Sequence, residues 1–354
     1  MRWPWARDSS SQHLVLSWAD ETLAYVLARL NVDGSFHVVK YGVERQGADG
    51  IEGLCRRLED LNLKGLVARV MLRPEQYQIL QIEAPAVAPD ELRSAARYQV
   101  REMLDMHLDD VTLDVMRVGD GLQKGVGHLF VIAASNAGIR SVSDLGEAMQ
   151  WKVSVIDVQE TAQRNLQNAL ASRENGVDGA TAALMLLDRR QALLTISANE
   201  ELFYTRRFDL PEGFLEAPLQ RNIDSLPMSN KAPPDYRVDY DSLNSSYSGS
   251  DTSPAMLTSN VGNDDNAQRF LVEVQRSLDL WERVWSAMPI QGIRVHAGEH
   301  SEDLSVWLTA QLGQKVLPMI VGTLFSGFEG GTAADDVLCL PLLGLLLRSE
   351  SKSL

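Results

Sequence analysis

The chain has almost no cysteine. Cys55 and Cys339 are the only two in 354 residues, far apart and each inside an apolar pattern. A disulfide framework needs more cysteines at closer spacing, so the reading is a reducing compartment and two buried, inert thiols. Positive charge is short as well: 33 Lys and Arg stand against 48 Asp and Glu, a formal net charge of −15. Nucleic acids and anionic lipid surfaces are held by clustered Lys and Arg, so neither is an expected partner. Long apolar runs are also missing. The most apolar stretch, 337–347 (VLCLPLLGLLL), is broken by Pro341 and Gly344. It falls short of the roughly 20 residues a membrane-spanning helix needs. Residues 1–11 (MRWPWARDSSS) lack an apolar signal-peptide core. They read as a flexible tip, with Trp3 and Trp5 between arginines as the one membrane-interface feature. A cytoplasmic protein is expected, with membrane contact mainly through a partner.

The common catalytic signatures are absent too. There is no Walker loop, no GxGxxG and no GxSxG. Gly119, Gly121 and Gly125 lie between two strand patterns rather than at a helix start, so they read as a hairpin loop. His296-Ala297-Gly298-Glu299-His300 matches HxxEH, a zinc-peptidase pattern that works when both histidines share one helical face. Here the motif follows a strand, carries a glycine at its centre and precedes a helix expected to start at Ser301. No metal is expected. The acidic pairs (Asp109 and Asp110, Asp264 and Asp265, Asp335 and Asp336) fall in loops or at element ends and read as solvated.

What is present is order. Strands are expected at 13–16, 23–30 and 35–40, joined by turns at Ser17-Trp18-Ala19-Asp20 and Asn31-Val32-Asp33-Gly34. A helix over 50–61 and a strand over 65–72 follow. The same series returns at 182–187, 192–198, 202–207, a helix over 266–288 and a strand at 292–296. Two halves with one topology suggest a duplication. Between them an α+β unit is expected: an extended 76–82, a helix from Asp90, strands at 111–118 and 128–134, and a helix over 135–149. Residues 154–157 and a helix over 159–171 close the first half. Residues 222–265 are rich in Ser, Asn and Asp, carry clustered Pro and Gly and have no period, so they read as a disordered insertion.

Several stretches in this series carry a likeness. They are 81–114 (QIEAPAVAPDELRSAARYQVREMLDMHLDDVTLD), 155–166 (VIDVQETAQRNL), 202–210 (LFYTRRFDL) and 270–283 (FLVEVQRSLDLWER). Together they resemble type IV pilus assembly proteins of the PilM type, nearest to the branch serving the mannose-sensitive haemagglutinin (MSHA) pilus. The cytoplasmic domains of type II secretion L-type proteins are cousins. The resemblance implies an α/β, actin-like ATPase fold: two ribonuclease-H-like domains with an FtsA/PilM-like inserted α+β subdomain. The expected layout is a tip at 1–11, a first domain at 12–180 with the insertion at about 73–152, and a second domain at 181–354.

The resemblance also implies a role. Such proteins act as cytoplasmic scaffolds at the inner membrane of Gram-negative bacteria. They hold the N-terminal cytoplasmic tail of a single-pass, PilN-like membrane protein, with the assembly motor ATPase as a further partner. Pro85, Leu92, Ala96, Val100 and Phe130 are the candidate walls of the tail groove. In ATP-binding members two hairpins grip phosphate through D-x-G-[ST]-like turns, where glycine lets backbone N–H groups approach closely. The matching turns here are Ser17 to Asp20 and Asp188-Arg189-Arg190-Gln191, both without glycine. The adenosine-side turn is Ala297-Gly298-Glu299-His300. Ser17, Asp20, Asp188, Arg189 and Gly298 are therefore expected to be vestigial, with no cofactor. The alternative is an ATPase using ATP with Mg.

Overall fold

Strand β1 (Gln12–Ala19) turns back into β2 (Thr22–Leu30), and β2 into β3 (Phe36–Arg45). The structure is a computed structural model describing residues 12–119, 127–173, 179–186, 190–215, 261–328 and 334–348. Residues 1–11 and 222–260, expected as tip and insertion, lie outside the described residues, as do Gly121, Gly125, Asp188 and Arg189. Helix α1 (Gly50–Asp60) leads to β4 (Val67–Met71), which pairs in parallel with β1.

The next strand of that sheet, β8 (Lys152–Asp157), comes only after a long excursion. The sheet order is β3-β2-β1-β4-β8, with a short strand β14 (Phe325–Ser326) beside β3. Side chains alternate along β1 as the pleat requires. Leu14, Leu16 and Trp18 enter the core under α1, while Val15 joins the core shared with the second half.

The excursion is the inserted subdomain: β5 (Tyr77–Glu83), α2 (Leu92–Gln99), β6 (Val111–Val118) and β7 (His128–Ser135), with sheet order β5-β7-β6. Both faces of this small sheet are buried. Leu129, Val131 and Ala133 of β7 pack with Leu92, Ala96 and Val100. Phe130 and Val118, on the other face, join the core of the second half. Helix α3 (Asn136–Ala148) was expected to belong to the insertion, which was placed at about 73–152. Instead Val142 and Leu145 pack with Leu14 and Trp18, so α3 covers the first domain's own sheet.

Helix α4 (Gln159–Arg173) then crosses to the second half, where β9 (Ala180–Leu186), β10 (Gln191–Ala198), β11 (Glu201–Asp209), α5 (Val261–Val284) and β12 (Ile290–His296) repeat the first series. Helix α5 thus begins inside the stretch assigned to the insertion. Helix α6 (Ser301–Leu312) and β13 (Val316–Pro318) complete a sheet of order β11-β10-β9-β12-β13.

The chain does not end there. Strand β14 (Phe325–Ser326) pairs with β3, while α7 (Ala334–Cys339) and α8 (Leu343–Leu346) supply Cys339 and Leu343 to the shared core. The segment after Met319 therefore returns to the first half and does not belong wholly to a second domain over 181–354. The duplicated halves and the insertion are the actin-like fold, two ribonuclease-H-like domains joined by crossing helices. Cys339 is buried as expected, whereas Cys55 is only half-buried.

Candidate functional site

Strand β1 is longer than its sequence suggested, and this moves the first hairpin turn. Ser17, Trp18 and Ala19 remain in the strand, and the turn is Asp20-Glu21, with φ of 47° and 57°. Two successive left-handed residues match the twist of a two-residue hairpin, which Asn and Gly adopt most readily. The Trp18 indole, placed in the turn by the sequence pattern, points into the first domain's core and donates to Ser141 Oγ at 2.9 Å.

What fills the hairpin is Arg73, just past β4. Its Nη2 donates to Thr22 O at 3.0 Å, and its Nη1 and Nε lie 3.4 Å from Ala19 O and Ser17 Oγ. Gln76 completes the arrangement by donating to Trp18 O at 2.9 Å and accepting from Arg73 N at 2.8 Å. Burial presses the Arg73 pKa below its usual value, and the nearby Glu75 and Asp20 carboxylates oppose that shift. Ser17 is almost fully buried as an acceptor for Arg73, so its hydroxyl does not face an open turn. No sequence pattern singled out Arg73. Its role depends on β4 ending beside β1, which is a sheet-order fact.

In the second half, Arg190 opens the approach to β10 after residues 187–189, which lie outside the described residues, and its carbonyl accepts from Leu210 N at 2.6 Å. At the turn after β12, Gly298 has φ of +59°, with open space where a Cβ would stand. Ser301 is the first residue of α6 rather than a side-chain cap. Its hydroxyl accepts from Ala297 N at 2.9 Å and donates to Gly298 O at 2.7 Å, closing the turn. His296 ends β12, is buried, and has its pKa lowered to about 4 by desolvation. His300 lies past the turn beside Glu299, at 3.7 Å. The two histidines therefore share no helical face. Among the described residues no three His, Cys, Asp or Glu side chains cluster as a metal site.

Around the start of α4, buried polar groups are dense. Asp157, at the end of β8, accepts from Val158 N at 2.9 Å and also pairs with Thr161 and with Arg348 after α8. Gln163 of α4 donates to Ala183 O at 2.9 Å and Leu193 O at 3.0 Å in the second domain's sheet. Glu160, with no exposed surface, meets Arg207 of β11 at 2.7 Å and accepts from the Tyr77 hydroxyl. Sequence reading placed α4 correctly but gave these side chains no role, because their spacing resembles that of a solvated helix. The one signal was indirect: a polar helix between two apolar sheets must satisfy its polar groups against them.

The candidate groove residues are placed differently from expectation. Leu92, Ala96 and Val100 are buried under the subdomain's own sheet, and Phe130 packs into the second domain's core. Their side chains are packing residues and do not line an open groove. Pro85 alone stays partly exposed, and Tyr98 of α2 is 80% exposed nearby.

The chain is similar in structure to the "PilM-PilN type IV pilus biogenesis complex". That likeness has a TM-score of 0.61 and 15% identity, covering 95% of this chain and 99% of the other. The cytoplasmic domain of EpsL, an inner-membrane component of the type II secretion system of Vibrio cholerae, matches with a TM-score of 0.40 and 15% identity. That match covers 56% of this chain and 72% of the other. A Bacteroides thetaiotaomicron protein with an actin-like ATPase fold and unknown function gives 0.48 and 6%, covering 96% and 97%. At these identities the first match speaks for the fold, and the two weaker ones add no argument. Family models give no match, and curated protein sequences give none. The fold is thus that of an actin-like protein, similar to the PilM-PilN complex structure.

Proposed function

We propose that this protein is a scaffold of a type IV pilus assembly platform. It holds the N-terminal cytoplasmic tail of a single-pass, PilN-like inner-membrane protein. The observation that carries this reading is the likeness to the PilM-PilN complex along nearly the whole chain, insertion included. The MSHA branch, the assembly motor ATPase as second partner, and a position on the cytoplasmic face of the inner membrane belong to the same proposal. Among the described residues no helix is long and apolar enough to cross a membrane, and in this proposal the membrane anchor is the partner's. An extended tail entering a preformed surface orders only a few residues on binding. The test is binding of a labelled tail peptide by fluorescence anisotropy. Saturable binding in the micromolar range supports the scaffold, and no binding at high micromolar peptide overturns it.

We also propose that the cleft does not hydrolyse ATP. Arg73 and Gln76 already occupy the carbonyls around the first turn, and that turn has no glycine. One observation favours the opposite reading: a guanidinium has five N–H donors and suits phosphate, and the hairpin acceptors take three of the five. Thermal melting separates the two. A ligand at 100 times its dissociation constant adds about 2.7 kcal/mol. An unmoved melt in millimolar Mg-ATP supports a silent cleft. An upward shift that Arg73→Met abolishes establishes nucleotide binding.

A further inference from the structure

Three separate units of the fold meet at one phenol. Tyr77 is the first residue of β5, in the inserted subdomain. Glu160 lies in the first turn of α4, the helix that crosses between domains, and Arg207 lies on β11 of the second domain. The Tyr77 hydroxyl donates to Glu160 Oε2 at 2.5 Å and accepts from Gln159 N at 3.1 Å and from Arg207 Nη2. One donor and two acceptors exhaust what a phenol can offer. Arg207 also reaches Glu160 Oε1 at 2.7 Å, and its Cζ stands 5.0 Å above the Tyr77 ring.

We propose that Tyr77, Glu160 and Arg207 form a latch through which the inserted subdomain holds the two domains in one relative position. The proposal rests on geometry and does not depend on which partner the protein binds.

Two observations separate a latch from an ordinary structural ion pair. First, the cluster is buried and its donors are not all used: Glu160 has no exposed surface and meets Arg207 at 2.7 Å, while Arg207 Nε finds no acceptor among the described residues. Buried ion pairs in this condition contribute little net stability, yet breaking one partner away is costly. Such a pair is better suited to selecting one arrangement than to stabilising the fold.

Second, the subdomain is packed against both domains at once. The Tyr77 ring and Ala134 lie in the first domain's core, while Val118 and Phe130 lie in the second domain's core. Beside them, a Cβ on Gly119 would come within 2.6 Å of the Phe203 ring, so the subdomain approaches β11 closely. A shift of the subdomain therefore moves Tyr77 relative to Glu160 and Arg207 together. In the proposed latch, separating the domains pulls Arg207 off a carboxylate that has no exposed surface.

The test measures interdomain distance in the full chain by double electron–electron resonance. Spin labels are carried on Lys64→Cys in the first domain and Glu282→Cys in the second, both exposed positions, in a Cys55→Ser background. The parent should give one narrow distance. Tyr77→Phe keeps the ring and its packing but removes the donor to the carboxylate. It should shift the ratio of closed to open forms by roughly tenfold or more, as expected for a lost hydrogen bond to a charged group. A second, displaced distance should appear. The double variant Glu160→Leu with Arg207→Met keeps volume and removes both charges, so it folds without a stranded ion and should show the same second distance. Circular dichroism confirms that each variant retains its secondary structure. A parent-like single distance in both variants would overturn the latch and leave the cluster a structural ion pair.

Discussion

Gly344 of α8 lies so close to α4 that a Cβ built on it would stand 2.0 Å from the carbonyl oxygen of Ala162. The neighbouring Gly344 carbonyl accepts from Asn165 Nδ2 at 3.0 Å, and Arg69 reaches over to Leu345 O at 2.7 Å. The two segments that cross between the domains are thus in backbone contact, and the small residue at 344 is what permits it. Gly344→Ala should destabilise the protein by about 2 kcal/mol or more, since backbone cannot move aside as a flexible side chain can. Urea unfolding followed by far-UV circular dichroism measures it. A loss below 0.5 kcal/mol by this order-of-magnitude scale would show that the helices separate freely.

The Glu160–Arg207 pair makes a double-mutant prediction. Arg207→Met alone strands a carboxylate with no exposed surface and should cost about 3–5 kcal/mol. Adding Glu160→Leu should recover most of that loss, because two apolar side chains of similar size replace two desolvated charges. Equal stability of the single and double variants would show that the carboxylate left without Arg207 carries no burial cost, against this reading of the pair.

His296 gives a pH signature. Its folded pKa lies near 4 against an ordinary value of 6.5, through burial alone. Above about pH 6.5 the ring is neutral in both states and makes no contribution. Between about 6.5 and 4 the unfolded chain binds a proton that the folded chain refuses, so stability falls as pH falls. Below about 4 both states are protonated and this loss is complete, at about 3 kcal/mol. His296→Leu should flatten that part of the curve. Urea midpoints at pH 7, 5.5 and 4 for both proteins check the slope.

Arg73 predicts a hairpin that depends on a side chain from another strand. Arg73→Met removes the donors to Thr22 O, Ala19 O and Ser17 Oγ, and should cost about 1–3 kcal/mol. Arg73→Lys should restore little, since one ammonium cannot span three acceptors set out for a planar fork. Chemical denaturation of the three proteins tests this. Full rescue by lysine would show that charge, rather than the fork, holds the turn.

Much of the architecture was legible before any coordinates. Asn31 to Gly34 mark a real turn, Asn199-Glu200-Glu201 mark one of which Glu201 already opens β11, and the alternation in 111–118 places β6 with its observed bounds. Both signals are local, carried by the pleat and by turn chemistry. The error at the first hairpin was local too. Asp20 and Glu21 both take left-handed backbone, which neither residue signals as clearly as Gly or Asn would, so the turn was placed too early. The candidate site fared worse. Leu92, Ala96 and Val100 have the helical spacing of an inward face, and spacing cannot say whether that face meets a sheet or a peptide.

By itself, then, the sequence determined the order of strands and helices, their repetition in two halves and the absence of glycine from the hairpin turns. The order and the repetition follow from near-neighbour chemistry, the side-chain period and the turn residues. Only the tertiary structure decided that Trp18 faces inward, that Arg73 enters the first hairpin, and that Tyr77, Glu160 and Arg207 converge. Tyr77 and Arg207 stand 130 residues apart, and the chain's last strand pairs with its third. Contacts at that separation are set by sheet order and by the need to partner buried polar groups, which no local pattern encodes.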